Sequence, residues 1–431
     1  AIGNYAMDGV SSLAATENIF IGYNSGGGGW TGTLSQRNVA IGNETMAGAM
    51  DDADYNIGMG YGVMNVLTTG SGNTSLGYGS GGNMTTGDYN TFVGADAGDA
   101  ITIGIRNTAI GRNALGTTVD VDQVVAIGYN ALGSAQLTVG ASNADGTVGI
   151  GYNVMESLTS GTGNVAVGFE AGKALTTQSY NTFIGHEAGE SVAGASNTAL
   201  GYRALADASA DVDYCVAIGH NALTTADADY DSGSVAIGHQ SLQNQSATAL
   251  AGNTAIGHQS GAAITTGVEN IAIGYQALLA SATGSYNTVV GYKSGTAIID
   301  GTRNTAVGGY ALNTDDYGAG NTAIGYVALY SQDTSGTSQV YSGNTALGAE
   351  SGYYNVTGVN NTYLGYRAGK GVSAKSHSGC IYIGRDAGLT AYTGAYNIAI
   401  GYQAMDGLPT DDDTVGGSAE NIFIGKDAGG G

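Results

Sequence analysis

Proline occurs once in 431 residues, tryptophan once, cysteine twice, and lysine plus arginine only 12 times. With 35 acidic residues and a net charge of −23, the chain lacks the basic footprint that phosphate binding needs, so neither nucleic acid nor an anionic membrane is an expected partner. Cys215 and Cys380 are too few for a disulfide framework, and neither has a neighbour at metal-ligand spacing. No run approaches the roughly 18 consecutive apolar residues of a membrane span. The near absence of proline leaves almost every backbone N–H free to join a ladder. The chain opens at Ala1 without a charged segment ahead of an apolar core, so no signal peptide is visible.

Glycine is what the chain has in excess, with 76 residues, and it is placed by a repeat. The unit reads NTAIGYxAL, as in NTAIGRNAL at 107–115, NIAIGYQAL at 270–278 and NTAIGYVAL at 321–329. With the central glycine as position zero, 24 copies run from Gly3 to Gly425, and 12 of the 23 spacings are 17 residues. Position −1 is aliphatic in every copy, and −3 is Thr, Val or Ile in all 23 readable copies. Alternating β-branched residues predict a short strand, and the exchange of Thr with Val and Ile at −3 points the −3 and −1 rows inward. Position −4 is Asn in 18 of 23 copies, which suits a turn whose amide bonds the coils above and below. Cys215 and Cys380 stand in that row as small substitutes.

Positions −2 and +4 are linked. Phe20, Phe92, Phe183, Val289, Tyr363, Tyr382 and Phe423 are the seven large residues at −2, and each has glycine at +4. All 13 copies with Leu or Met at +4 carry Ala or Gly at −2. Close-packed interiors conserve volume, so the two side chains are expected to compete for one space. Since −2 points away from −3 and −1, packing on both faces of the strand suggests a second layer, either the coil's far wall or another chain.

The expected fold is all-β: a parallel β-solenoid of about 24 coils with a period of about 17–19 residues, forming one continuous array over 1–431. Seventy-six glycines and β-branched rows disfavour a helical repeat. The array begins and stops inside a repeat without caps, so the chain is read as a fragment of a longer one. Pro409 lies in the longest coil, outside the expected ladder.

The block N(T/V/I)AIGxx(A/S) resembles the head repeats of trimeric autotransporter adhesins, and equally the NTAIGYQAL arrays of phage tail-fibre-like proteins. The resemblance covers essentially the whole chain. It implies a left-handed parallel β-roll, a homotrimeric rod, and a non-enzymatic extracellular role, on a cell-surface filament or a virion fibre, in reach and attachment to a host-surface glycan or protein receptor. Coil length, the tyrosine-rich +1 row and the Leu/Gly alternation depart from the adhesin heads. Ice binding, glycan binding by a solenoid and, further off, an acyltransferase or lyase are the alternatives. Ice binding would need a flat outward Thr array, which inward −3 residues would not provide.

No catalytic, cofactor-binding or metal-ligating set is expected. His186, His220, His239 and His258 occupy +1, where Tyr stands in 11 copies. The last three fall in consecutive coils and could stack about 5 Å apart to bind a metal or sense pH, but they are read as Tyr-like ladder members. His377 stands alone, with no recognisable nucleophile near it. Acidic groups such as Asp51, Asp52 and Asp54, Asp227, Asp229 and Asp231, or Asp411 to Asp413 lack the spacing of a calcium loop and read as solvated segments. Surface contacts are expected at Trp30, in the glycine-rich stretch GGGGWTG, and at Tyr129, Tyr275 and Tyr326 of the +1 row.

Overall fold

The computed structural model describes residues 1–9, 15–30, 34–117, 119–133, 144–208, 212–226, 233–246, 251–334, 339–373, 375–391, 393–406 and 419–430. They form two compact units, Ala1–Asp213 and Tyr214–Gly431. Each is an all-β parallel solenoid, and no helix occurs among the described residues. Pro409, Asp227, Asp229, Asp231 and Asp411 to Asp413 lie outside the described residues.

The first unit stacks eleven three-residue strands, from Ile19–Ile21 to Thr198–Leu200, and Ile2 bridges to Ile21 ahead of them. The second stacks twelve, from Val216–Ile218 to Ile422–Ile424. Every strand coincides with positions −3 to −1 of a repeat copy. Pairing is parallel and in register, so like meets like: Thr74 pairs with Thr91, Phe92 with Ala109, Val290 with Val307. Short accessory strands, such as Gly318–Ala319 with Val340–Tyr341, widen some coils.

The zero glycine is required twice over. At Gly274 φ is +136°, a region L-residues avoid, and an added Cβ would lie 2.4 Å from the carbonyl oxygen of Gly291 in the next coil. Positions +2 and +4 are also left-handed, with Gln276 at φ 52° and Leu278 at 53°. A leucine there carries backbone strain of about 1–2 kcal/mol that a glycine would not.

The −4 asparagines form a buried ladder on the inner side of the turn. Asn270 Oδ1 accepts from the backbone N–H of Asn287 at 3.0 Å, while Asn270 Nδ2 donates to the Gly284 carbonyl at 2.8 Å. The same two bonds recur at Asn287 and Asn304. Substitutes are fitted to the pattern. Cys380 donates its N–H to Asn361 Oδ1 at 2.9 Å and points its thiol at the Gly394 carbonyl, where an asparagine would send its amide. Ser234 is too short, and the amide of Gln245 fills the gap, donating to Ser234 Oγ at 2.9 Å and accepting from Asn253 at 3.1 Å. Each such bond contributes about 1 kcal/mol, and a buried amide left without one costs about 1–3 kcal/mol.

The strand's inner face is −2, and the expectation that −3 and −1 face inward is overturned. Position −2 is fully buried at Phe20, Ala40, Phe92, Ala109 and Tyr363, whereas the residues on either side are half-buried or exposed: Ile57 is 41% exposed and Leu347 45%. The coil is thin. Alanine or serine at +3, the +4 residue and a buried +7 side chain such as Met84, Ile101 or Ile264 meet −2 across one narrow interior. Small residues at −2 let the walls approach, and the β-branched rows serve the pleat from outside. No second layer is needed.

The volume exchange holds inside each coil. A Cβ on Gly98 would come within 2.7 Å of the Phe92 ring, and one on Gly189 within 2.5 Å of Phe183. The rule also extends to the preceding coil. Gly81, Gly172 and Gly352, which face small residues at their own −2, lie under Phe92, Phe183 and Tyr363 of the following coil. An aromatic ring at −2 therefore sits between two glycines in these coils. Residues 261 to 278 already hold half of that arrangement, with Gly261 one coil before Ala272. Ala272→Phe alone is expected to destabilise the protein by about 1–3 kcal/mol through overpacking against Leu278. Adding Leu278→Gly completes the native pattern and should recover most of that loss in denaturant melts. Strictly additive effects would contradict the shared space.

Candidate interaction face

The outward rows make a surface without a single ionisable group. In both units −1 is Ile, Val, Leu or Met and −3 is Thr, Val or Ile, and several are well exposed, among them Met59, Ile150, Leu200, Ile256, Ile271 and Leu364. Eleven strands about 4.8 Å apart give the first unit a flat face about 50 Å long, on the order of 500 Å². Patches of that size are often functional.

The aromatic +1 row follows immediately past the glycine corner. Tyr129, Tyr152, Phe169 and His186 stack with ring centroids 5.3, 5.2 and 4.8 Å apart and planes within 17° of parallel. In the second unit His220, His239, His258, Tyr275 and Tyr292 stack at 5.1, 4.9, 5.1 and 5.3 Å. The ring faces are thus spent on one another. Tyr129 lies between Tyr152 and the Arg112 guanidinium, which is 5.8 Å from its ring, and Tyr275 lies between His258 and Tyr292. Each ring thus has a neighbour on both faces, although the residues are 45% and 42% exposed. Tyr326 differs. Its neighbours in the row are Gly309 and Ala349, it touches Tyr310 edge-on at 6.5 Å, and it is 59% exposed.

Trp30 is not a surface residue. Its indole is fully buried, edge-on to Phe20 at 5.6 Å, because its 20-residue coil has room to fold the ring inward beside an aromatic −2 residue. The tyrosines at −5 form a further exposed row at left-handed positions. Tyr89, Tyr180 and Tyr396 lie over the −5 glycines of the preceding coils, Gly72, Gly163 and Gly379. Sequence periodicity shows this Gly-then-Tyr pairing once the −5 row is read down the stack.

Two titratable groups are buried away from this face. Asp315, in the +7 row, accepts from Asn321 Nδ2 at 2.8 Å, from the Gly318 N–H at 3.1 Å and from Thr334 Oγ1 at 3.1 Å. Burial pushes its carboxyl up to about 6 despite these bonds. His377 is enclosed between Tyr363 and Tyr382, with ring centroids 5.4 and 5.3 Å away, and burial holds it down at about 4. The signs are opposite. A raised carboxyl stabilises the fold below its unfolded value and loses that contribution as pH rises through about 6. A lowered imidazole contributes above its unfolded value and is lost as pH falls toward about 4. Between pH 4 and 7, the stability of wild type relative to Asp315→Asn should fall by about 2 kcal/mol, and relative to His377→Phe it should rise by about 3 kcal/mol. Urea melts at both pH values check this, and pH-independent differences would contradict it. No family model and no curated protein matches the chain.

Proposed function

We propose that the chain is a non-enzymatic structural segment of an extracellular fibre, on a cell surface or a virion, and that it assembles as a homotrimer through its outward −3 and −1 rows. The carrying observation is that uncharged face of aliphatic residues and threonine, repeated on every three-residue strand of both units. A lone chain would hold it in water at a cost of about 25 cal/mol per Å² of apolar surface that association could bury. A second copy of the chain is the occupant that fits best. Each coil presents the same two residue classes at the same rise, so copies match along the length of a unit, and the face carries no charge to repel its like. The resemblance to trimeric adhesin heads supplies the number three. On this reading the acidic excess and the variable segments stay on the outside, keep the assembly soluble and present the receptor-facing surface. Tyr326, with its ring faces between small residues, is the +1 contact that suits a glycan or protein receptor.

One observation favours a second reading. With −3 pointing outward, a flat grid of methyl and hydroxyl groups faces solvent, as ice binding requires. The grid is uneven, however: −3 is Thr in 11 of 23 copies, and −1 never carries a hydroxyl. Oligomerisation therefore ranks first, and thermal hysteresis of the dissociated chain separates the two.

Light scattering is expected to give about three times the 42.9 kDa chain mass. Ile256→Lys with Ile271→Lys, both on outward positions, should yield a folded single chain, since like charges meeting at an interface cost several kcal/mol. A folded wild-type monomer at micromolar concentration would overturn the proposal.

A further inference from the structure

His220, His239 and His258 fall at the same exposed position of three consecutive coils of the second unit, with ring centroids 5.1 and 4.9 Å apart and planes tilted by 28° and 22°. The coils beneath them are latched at a fixed rise. The N–H of Gln240 donates to the His220 carbonyl, that of Gln259 to His239 and that of Gln276 to His258, each at 2.9 Å. Beside the rings, the amides of Gln240, Gln259 and Gln276 bond one another at 2.9 and 2.8 Å. No lysine or arginine stands at +1 or +2 in these coils. Desolvation and then its two imidazole neighbours push His239 below the usual histidine range.

We propose that this imidazole ladder binds a borderline-soft divalent transition-metal ion, of the Zn²⁺, Ni²⁺ or Cu²⁺ class, between neighbouring rings. As they stand, the rings are stacked, and no group of three or more ligating side chains among the described residues converges on a point. Two nitrogens suffice for a bridging site completed by water. A tetrahedral ion with bonds of about 2.0–2.1 Å needs its two nitrogens about 3.4 Å apart. The ring separation exceeds that by about 1.6 Å, which opposed tilting of two exposed imidazoles about their Cβ–Cγ bonds can close without moving the backbone. His239, with an imidazole on each side, is the shared ligand, and His220 and His258 are its alternative partners. Stacking alone would be served equally by the tyrosine found elsewhere in this row, which cannot supply a neutral nitrogen donor. Imidazole selects transition metals over Mg²⁺ and Ca²⁺, which prefer oxygen.

The row itself supplies the test, because tyrosine is its commonest residue and the substitutions preserve the stack. Zn²⁺ titrated calorimetrically into the full chain should bind saturably in the micromolar range and resist excess Mg²⁺. His220→Tyr, His239→Tyr and His258→Tyr together should weaken it by more than about tenfold at unchanged melting temperature. His186→Tyr, in the first unit's ladder, should leave it unchanged. Histidine ¹⁵N resonances should shift for the three ladder residues on adding Zn²⁺. Absence of saturable binding by the folded chain would overturn the site. So would equal affinity in the triple variant, which would place the ion on the carboxylates instead.

Discussion

Each three-residue strand lies in register on its counterpart one coil away, so every side chain in the block must tolerate a copy of its own kind about 4.8 Å above and below it. That constraint explains the composition. Asparagine survives it because its amide both donates and accepts, as Asn270, Asn287 and Asn304 do in turn. Aromatic rings survive by stacking, and aliphatic rows by packing. Runs of one charge do not survive it, and the recurring block accordingly carries charge only at +1 and +2, where Arg, Lys, Asp and Glu alternate with neutral residues. Proline would remove a ladder donor, and the zero glycine has no room for a Cβ under the next coil's carbonyl.

Most of the fold is legible in the sequence because the copies can be compared with one another. Strand positions, the asparagine ladder and the competition between −2 and +4 all follow from columns of the repeat. The direction of the strand is not legible in the same way. Alternation separates two faces, but when one is Thr/Val/Ile and the other mostly Ala, hydrophobicity favours the wrong one. The narrowness of the interior decides it, and the −2 column itself carries that narrowness: alanine dominates and each aromatic demands a glycine opposite. The dependence of Phe92, Phe183 and Tyr363 on a second glycine one coil earlier was hidden because it crosses copies. Trp30 misleads for another reason: its coil is longer than the common period, so its register falls outside the columns, and composition alone suggested a surface site.

The reversal of the strand changes what the molecule offers. Two rows expected in the core instead form an uncharged outward surface, and the aromatic +1 row is largely closed on itself. A solenoid that buries Ala and Asn while displaying Ile and Val fits the lateral association proposed above. Both proposed sites sit where a column is interrupted, as at Tyr326 between two small neighbours, or where one column changes chemistry, as at the three consecutive histidines.

The claim on which everything rests is that distance along a unit counts coils and not residues. Nitroxide labels at His239 and Tyr402, nine coils apart in the second unit, test it by pulsed electron resonance, with Cys215 and Cys380 replaced by the row's usual asparagine and the labelled chain diluted in unlabelled chain. At about 4.8 Å per coil the separation should be narrow and near about 43 Å. The pair His239 and Tyr326, five coils apart, should give about 24 Å. A broad distribution, or distances that scale with residue number through the longer coils, would contradict in-register stacking.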